Sequence, residues 1–182
     1  NGKGKSAGCH SSFLTKALLA LQRVNAYRWG MFNIVMVHPE IPHNTGAAGR
    51  LALATGARLH LVKPLGFDID EKTVKRAGLD YWKDVDLVIW ESWDAFYASV
   101  ADTSRMFLLT TKATKNHWDA KFQNGDYLLF GRETKGLDES LIEAHPETAI
   151  KIPMVEGSTR SLNLATAVAI VLYEGMRQVG ME

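Results

Sequence analysis

Three short polar stretches carry most of the side chains able to bind or activate a ligand. The first is His43-Asn44-Thr45-Gly46-Ala47-Ala48-Gly49-Arg50. Its glycines let a partner approach the backbone. Arg50 falls about two turns into a helix, within reach of a phosphate or ribose near the helix start. Taken alone, the stretch reads more readily as a capped helix with packing glycines and a surface arginine. The second is Phe130-Gly131-Arg132-Glu133-Thr134-Lys135-Gly136-Leu137. A glycine directly after a buried strand leaves room for a flat ring or a ribose. Glu133 offers a carboxylate to hydroxyls or amines, and Arg132 and Lys135 offer charge for phosphate. The plain alternative is a solvated turn before a helix. The third gathers Ser158, Thr159, Arg160, Ser161 and Asn163 at the entrance of an apolar helix. That density of donors suits a small polar ligand at the mouth of a buried element. Capping by Ser and Thr is the competing explanation.

Other chemistries lack their residues. No GxGxxG opens the first helix, and no GK[ST] loop follows a strand. Residues 2–6 (GKGKS) imitate the latter without a preceding strand. The six histidines show no HExxH or related spacing, so no metal is expected. His38, His43 and His117 fall in predicted loops and read as solvated. No Ser-His-Asp grouping can be argued from spacing. The five tryptophans read as packing residues, although Trp82 and Trp118 have lysines nearby.

The elements that must position these loops alternate. Strands are predicted over residues 32–37, 58–62, 86–90, 106–110, 127–130 and 150–154. Helices are predicted over 45–55 with Asn44 as cap and Gly56 as stop, 70–77, 92–100 capped by Ser92, 138–144 capped by Asp138, and 161–178 capped by Ser161. Each polar stretch follows a predicted strand, where open parallel sheets bind ligands. Continuous apolar strands alternating with helices indicate an α/β fold with a mainly parallel sheet and helices on both faces. The last helix has two apolar faces, one with Leu162, Ala165, Ala169, Leu172 and Met176, the other with Leu164, Val168 and Val171. Such a helix is buried on two sides, in a core or between subunits.

The 182 residues suffice for one domain with a sizeable core. One cysteine, Cys9, allows no internal disulfide framework and no cysteine metal cluster, which suits a reducing compartment. No apolar run is long enough to span a bilayer, so no membrane partner is expected. Residues 1–30 hold five basic and no acidic side chains and read as a basic extension or leader, with an amphipathic helix over 13–29. The rest carries 16 basic against 20 acidic side chains. A nucleic acid would therefore have to meet a local basic patch.

Taken in order, the segments HPEIPHNTGAAGR, KPLGF, RAGLDYW, LLTTK, GDYLLFGRETKGL and IPMVEGSTRSLNLATAVAIVLYE resemble the SPOUT class of methyltransferases. The likeness is to the small TrmL (YibK-type) enzymes that methylate the ribose 2′-hydroxyl of a tRNA wobble nucleotide, and it covers residues 31–180. It implies a domain over 31–182 with a deep C-terminal trefoil knot. It also implies S-adenosylmethionine as methyl donor, S-adenosylhomocysteine as product, no metal, a homodimer and a cytoplasmic location. Cytidine or uridine of tRNA-Leu isoacceptors would be the target. By the same resemblance Leu109, Thr110, Gly131, Glu133, Ile152, Met154 and Ser161 contact the cofactor, Arg50 activates the hydroxyl, and Asn44, Glu133 and Asn163 shape the site. Arg50, Lys112, Arg132, Lys135 and Arg160 are expected to face RNA. Two departures stand out. Arg132 occupies a position where close relatives often have proline, and the 154–160 loop is one residue longer. Another RNA substrate, or a non-catalytic RNA-binding module on the same fold, remains an alternative.

Overall fold

The residues of Phe-Asn-Ile-Val-Met-Val, near the start of the predicted domain, alternate between two cores. A computed structural model describes residues 32–68, 81–157 and 159–180. Within it, strands β1 (Phe32–Val37), β2 (Arg58–Val62), β3 (Leu87–Trp90), β4 (Met106–Leu109), β5 (Asp126–Phe130) and β6 (Ala149–Ile150) form one sheet. Their order is β3-β2-β1-β5-β4-β6, and all pairings between them are parallel. Helices α1 (Pro42–Thr55), α2 (Trp93–Ser99), α3 (Glu139–Ala144) and α4 (Leu164–Val179) complete the described framework.

Period-2 geometry sends Phe32, Ile34 and Met36 to one face and Val35 and Val37 to the other. The first face meets Leu59, Leu61, Leu128 and Phe130, and is covered by Ala48 and Ala52 of α1 and Val168, Val171, Leu172 and Met176 of α4. The second meets Val62, Met106, Leu108 and Leu129 and is covered by Phe96 of α2, with Leu141 and Ile142 of α3 at its margin. Both faces are thus apolar, as the continuous strands predicted. The chain steps outward from β1 to β2 and β3, then crosses to β4 on the far side of β5. The order therefore reverses between β1 and β5, which places a ligand crevice beyond their carboxyl ends.

Several expected boundaries shift. The helix assigned to residues 45–55 begins at Pro42, whose fixed φ suits a first turn, and ends as expected at Gly56 with φ 71°. Asn44 therefore lies inside α1 and does not cap it. The strand assigned to 150–154 is only Ala149–Ile150, extended by an isolated bridge between Lys151 and Asn116. Pro153, which has no amide to donate, follows closely. The last helix starts at Leu164, capped by the Asn163 side chain, not at Ser161. Among the described residues nothing fully covers its outer side, where Tyr173 is 51% exposed and Ala165, Ala169 and Ile170 are partly exposed. Ser92 caps α2 as expected, whereas Asp138 precedes α3 without a side-chain capping bond. The predicted helices over 13–29 and 70–77 lie outside the described residues.

Candidate functional site

The carboxyl ends of β1 and β5 are tied together by two reciprocal carboxylates. Glu133 accepts from the backbone amides of Glu40 at 2.8 Å and Ile41 at 3.2 Å. These amides open α1, and Ile41 supplies no side-chain cap of its own. Glu133 thus caps α1 from another loop, where a negative charge is favoured. In return, Glu40 accepts from the amide of Thr134 at 3.1 Å and from its hydroxyl at 2.8 Å.

Glu133 also starts a hydrogen-bond chain whose polarity is fixed. An ionised carboxylate only accepts, so the Asn44 amide must turn its Nδ2 to Glu133 Oε1, 2.9 Å away. Asn44 Oδ1 then accepts from Asn163 Nδ2 at 3.0 Å. Asn163 Oδ1 accepts from the amide of Thr166 at 3.2 Å, capping α4. One chain of donors runs from α4 through α1 to the loop after β5. Asn44 is 97% buried, so loss of a partner would strand a polar amide. Asn44, Glu133 and Asn163, expected to shape a site, are therefore in direct contact.

A second wall comes from β4, β5 and β6. The pairs Leu108–Leu129 and Leu109–Ile150 bring Leu109, Gly131 and Ile152 to neighbouring levels on adjacent segments. Leu109 and Ile152 are partly buried and pack, with Leu164, on the first core. Thr110 donates its amide to Ile150 O at 3.0 Å. Beyond it, Lys151 donates its amide to Lys115 O at 2.9 Å, and its carbonyl accepts from the His117 amide at 2.8 Å. The 150–151 segment is thus gripped on one edge by Thr110 and on the other by Lys115 and His117.

The glycine at 131 has a different reason from the one its sequence suggested. A Cβ there would collide with the backbone of Gly136 and Leu137, so glycine lets the loop close on itself. Arg132 and Gly136 exchange both backbone hydrogen bonds across that closure. The Arg132 side chain donates to His38 Nδ1 at 3.0 Å and stands 3.9 Å from Asp138. Burial, and then the charge of Arg132, hold His38 below its ordinary pKa. The ring is therefore neutral at pH 7, with Nδ1 as acceptor. His38 is the one described non-glycine residue with positive φ, at 54°. It is not the solvated loop histidine that sequence suggested.

The remaining expected residues are dispersed. Lys112 pairs with Glu139 of α3 at 2.7 Å. Lys135, Arg160 and Ser161 are exposed, and Met154 is partly exposed. Ser161 O accepts from the Thr159 hydroxyl at 3.2 Å. Arg50 does not join Asn44 within this chain. Six residues along α1, about 9 Å of axial rise, its guanidinium sits over the Tyr81 ring, 4.7 Å from the centroid. Sequence reasoning missed Glu40 and Tyr81. A carboxylate three residues after a strand was a usable signal for Glu40, whereas nothing local predicted that Tyr81 meets Arg50. Among the described residues no group of three or more His, Cys, Asp or Glu could hold a metal ion.

Comparison with known proteins places this geometry. Residues 31–173 match the SpoU rRNA Methylase family. The tRNA (cytidine(34)-2'-O)-methyltransferase of Burkholderia pseudomallei is 47% identical over 154 residues, covering 84% of this chain and 98% of that protein. A solved structure concerned with 2-OH methylation of C/U34 on tRNA superposes with a TM-score of 0.76 at 44% identity, covering 82% of this chain and 96% of that one. The SpoU methyltransferase AviRb of Streptomyces viridochromogenes, solved in complex with the cofactor AdoMet, gives 0.65 at 26% identity, covering 81% of this chain and 60% of that one.

Proposed function

The chain belongs to the SpoU rRNA methylase family, and on that premise we propose that it methylates the ribose 2′-hydroxyl of nucleotide 34 in tRNA, using S-adenosylmethionine. The observation that carries the reading is the Asn44–Glu133–Asn163 chain, which locks all three polar loops into one mouth beside the β4–β5–β6 edge. Near-complete coverage of a relative named for this reaction supports the substrate.

The residues suit the donor. Leu109 and Ile152 offer a partly buried apolar wall, and Thr110, Gly131 and Met154 offer backbone beside it. When bound there, S-adenosylmethionine supplies an electrophilic methyl group. The task left to the protein is alignment, which can provide a large share of the rate. Glu133, Asn44 and Asn163 do this at one remove, by fixing the loops. With three donors already on its carboxylate, Glu133 is a positioning residue and not a free base. Arg50 is too weak an acid to serve as a base and instead holds the neighbouring phosphate or the developing alkoxide.

The hydrogen bonds on both edges of residues 150–151 support a C-terminal path threaded through the 110–117 loop. The side of α4 left partly exposed among the described residues, with Ile170 and Tyr173, supports a homodimer built on that helix. RNA then lies across two copies, facing Arg50, Lys135 and Arg160, with Lys112 and Arg132 released from Glu139 and Asp138 as phosphates replace them. Titration with S-adenosylmethionine, followed by transfer of labelled methyl to tRNA, tests the reading. Micromolar binding with transfer upholds it. RNA binding without any cofactor affinity would mean a non-catalytic module.

A further inference from the structure

We infer that Tyr81 is a positioning residue for Arg50, holding the guanidinium in the one place from which it serves the RNA. The inference rests on the proposed role of Arg50. Its own observations are independent of that role. Arg50 is exposed on α1, and a long exposed side chain samples many rotamers unless something orders it. Here the Tyr81 ring lies beneath the guanidinium, with Cζ 4.7 Å from the ring centroid, well inside cation–π range. The same tyrosine is fixed to the helix it serves. Its hydroxyl donates to Gly46 O at 2.9 Å, the carbonyl one turn before Arg50.

The next residue locks the pair in register. A Cβ on Gly49 would lie 2.5 Å from Trp82 Cζ3, so the indole sits directly on the helix backbone beside Arg50. Trp82 in turn begins a 3-10 turn, Trp82–Asp84, that leads into the strand at the sheet edge. Consecutive residues 81 and 82 thus clamp consecutive residues 50 and 49. The clamp orders the ring from two sides and leaves the guanidinium edge open to an oxygen ligand. Among the described residues the ring is the one polar or charge contact the Arg50 side chain makes.

The test separates the ring's electrons from its shape. Full-length protein carrying Tyr81→Phe is compared with protein carrying pentafluorophenylalanine at 81, which keeps the shape and reverses the ring's charge pattern. Tyr81→Leu and Arg50→Ala are run beside them. The readouts are kcat and KM for tRNA methylation and Kd for S-adenosylmethionine. Tyr81→Phe is expected within about twofold of wild type in kcat. The fluorinated ring is expected to lower kcat roughly two- to fivefold below the Phe variant, in keeping with an exposed cation–π contact. Tyr81→Leu is expected to lower it roughly tenfold or more, as misplaced groups do. Cofactor Kd stays unchanged throughout. Equal kcat for the two aromatic variants overturns the inference, as does a Leu variant with full kcat or a cofactor Kd that worsens in step with kcat. If Arg50→Ala itself retains full turnover, the failure lies with the role given to Arg50 and not with the clamp.

Discussion

Replacing Glu133 should damage the scaffold before it damages the chemistry. Its carboxylate takes two amides at the N-terminus of α1 and the Asn44 amide, at 2.8, 3.2 and 2.9 Å. Loss of an N-cap costs about 1 kcal/mol. Loss of the favourable charge at the helix start costs about 0.5 kcal/mol. Stranding the buried Asn44 amide costs about 1–3 kcal/mol. Glu133→Ala should therefore destabilise by about 3 kcal/mol, which for a chain of this size lowers Tm by roughly 6–12 °C. Glu133→Gln keeps one acceptor oxygen and should lose about half as much. Urea unfolding at unchanged m-value, with Tm read beside it, measures both. Activity should fall in step with stability and recover partly on cooling. If both variants melt within about 1 °C of wild type yet lose methylation, the carboxylate acts on the ligand and the scaffold argument is wrong.

Arg50→Ala should abolish methylation while leaving S-adenosylmethionine affinity near normal, since Arg50 lies away from the β4–β6 edge; calorimetry with parallel rate assays checks both halves. His60 is buried in β2, and burial followed by the Arg58 charge lowers its pKa from 6.5 to about 4. Its Nδ1 accepts from Trp90 Nε1 at 3.0 Å, leaving Nε2–H to donate to Asn33 Oδ1 at 3.1 Å. A depressed histidine pKa means the unfolded chain binds the proton first, so stability is full above pH 6.5 and falls as pH drops toward 4, by about 3 kcal/mol in all. His60→Gln should flatten that part of the stability–pH curve. The Asp126 side chain, 2% exposed, meets the partly exposed Arg105 at Nη2, 2.6 Å away, and Asp126→Asn should cost about 1–3 kcal/mol in denaturant titrations, because the charge-assisted bonds are lost while Arg105 retains the Lys121 carbonyl.

The sheet was legible because its strands are apolar on both faces, a pattern that depends on local sequence alone. The three polar loops were legible for the same reason, since each follows such a strand. Cap assignments failed where a side chain had a distant partner. Asn44 looks like a cap to any local rule, yet Glu133, 89 residues away, claims its amide and takes over the capping. Ser161 lost its role to Asn163, which serves α4 and Asn44 at once. Gly131 was read as room for a ligand, and sequence did not reveal that the space of a Cβ there is taken by Gly136 and Leu137 of its own loop. His38 was read as solvated because sequence does not reveal that Arg132, 94 residues on, would lie against it.

The most direct test is to incubate purified full-length protein with S-adenosylmethionine and unmodified tRNA, digest the RNA, and map methylated nucleosides by mass. The account predicts a single new 2′-O-methylribose, at the first anticodon position. A methyl group on a base, or on a ribose elsewhere in the tRNA, would contradict it, and so would RNA recovered unchanged.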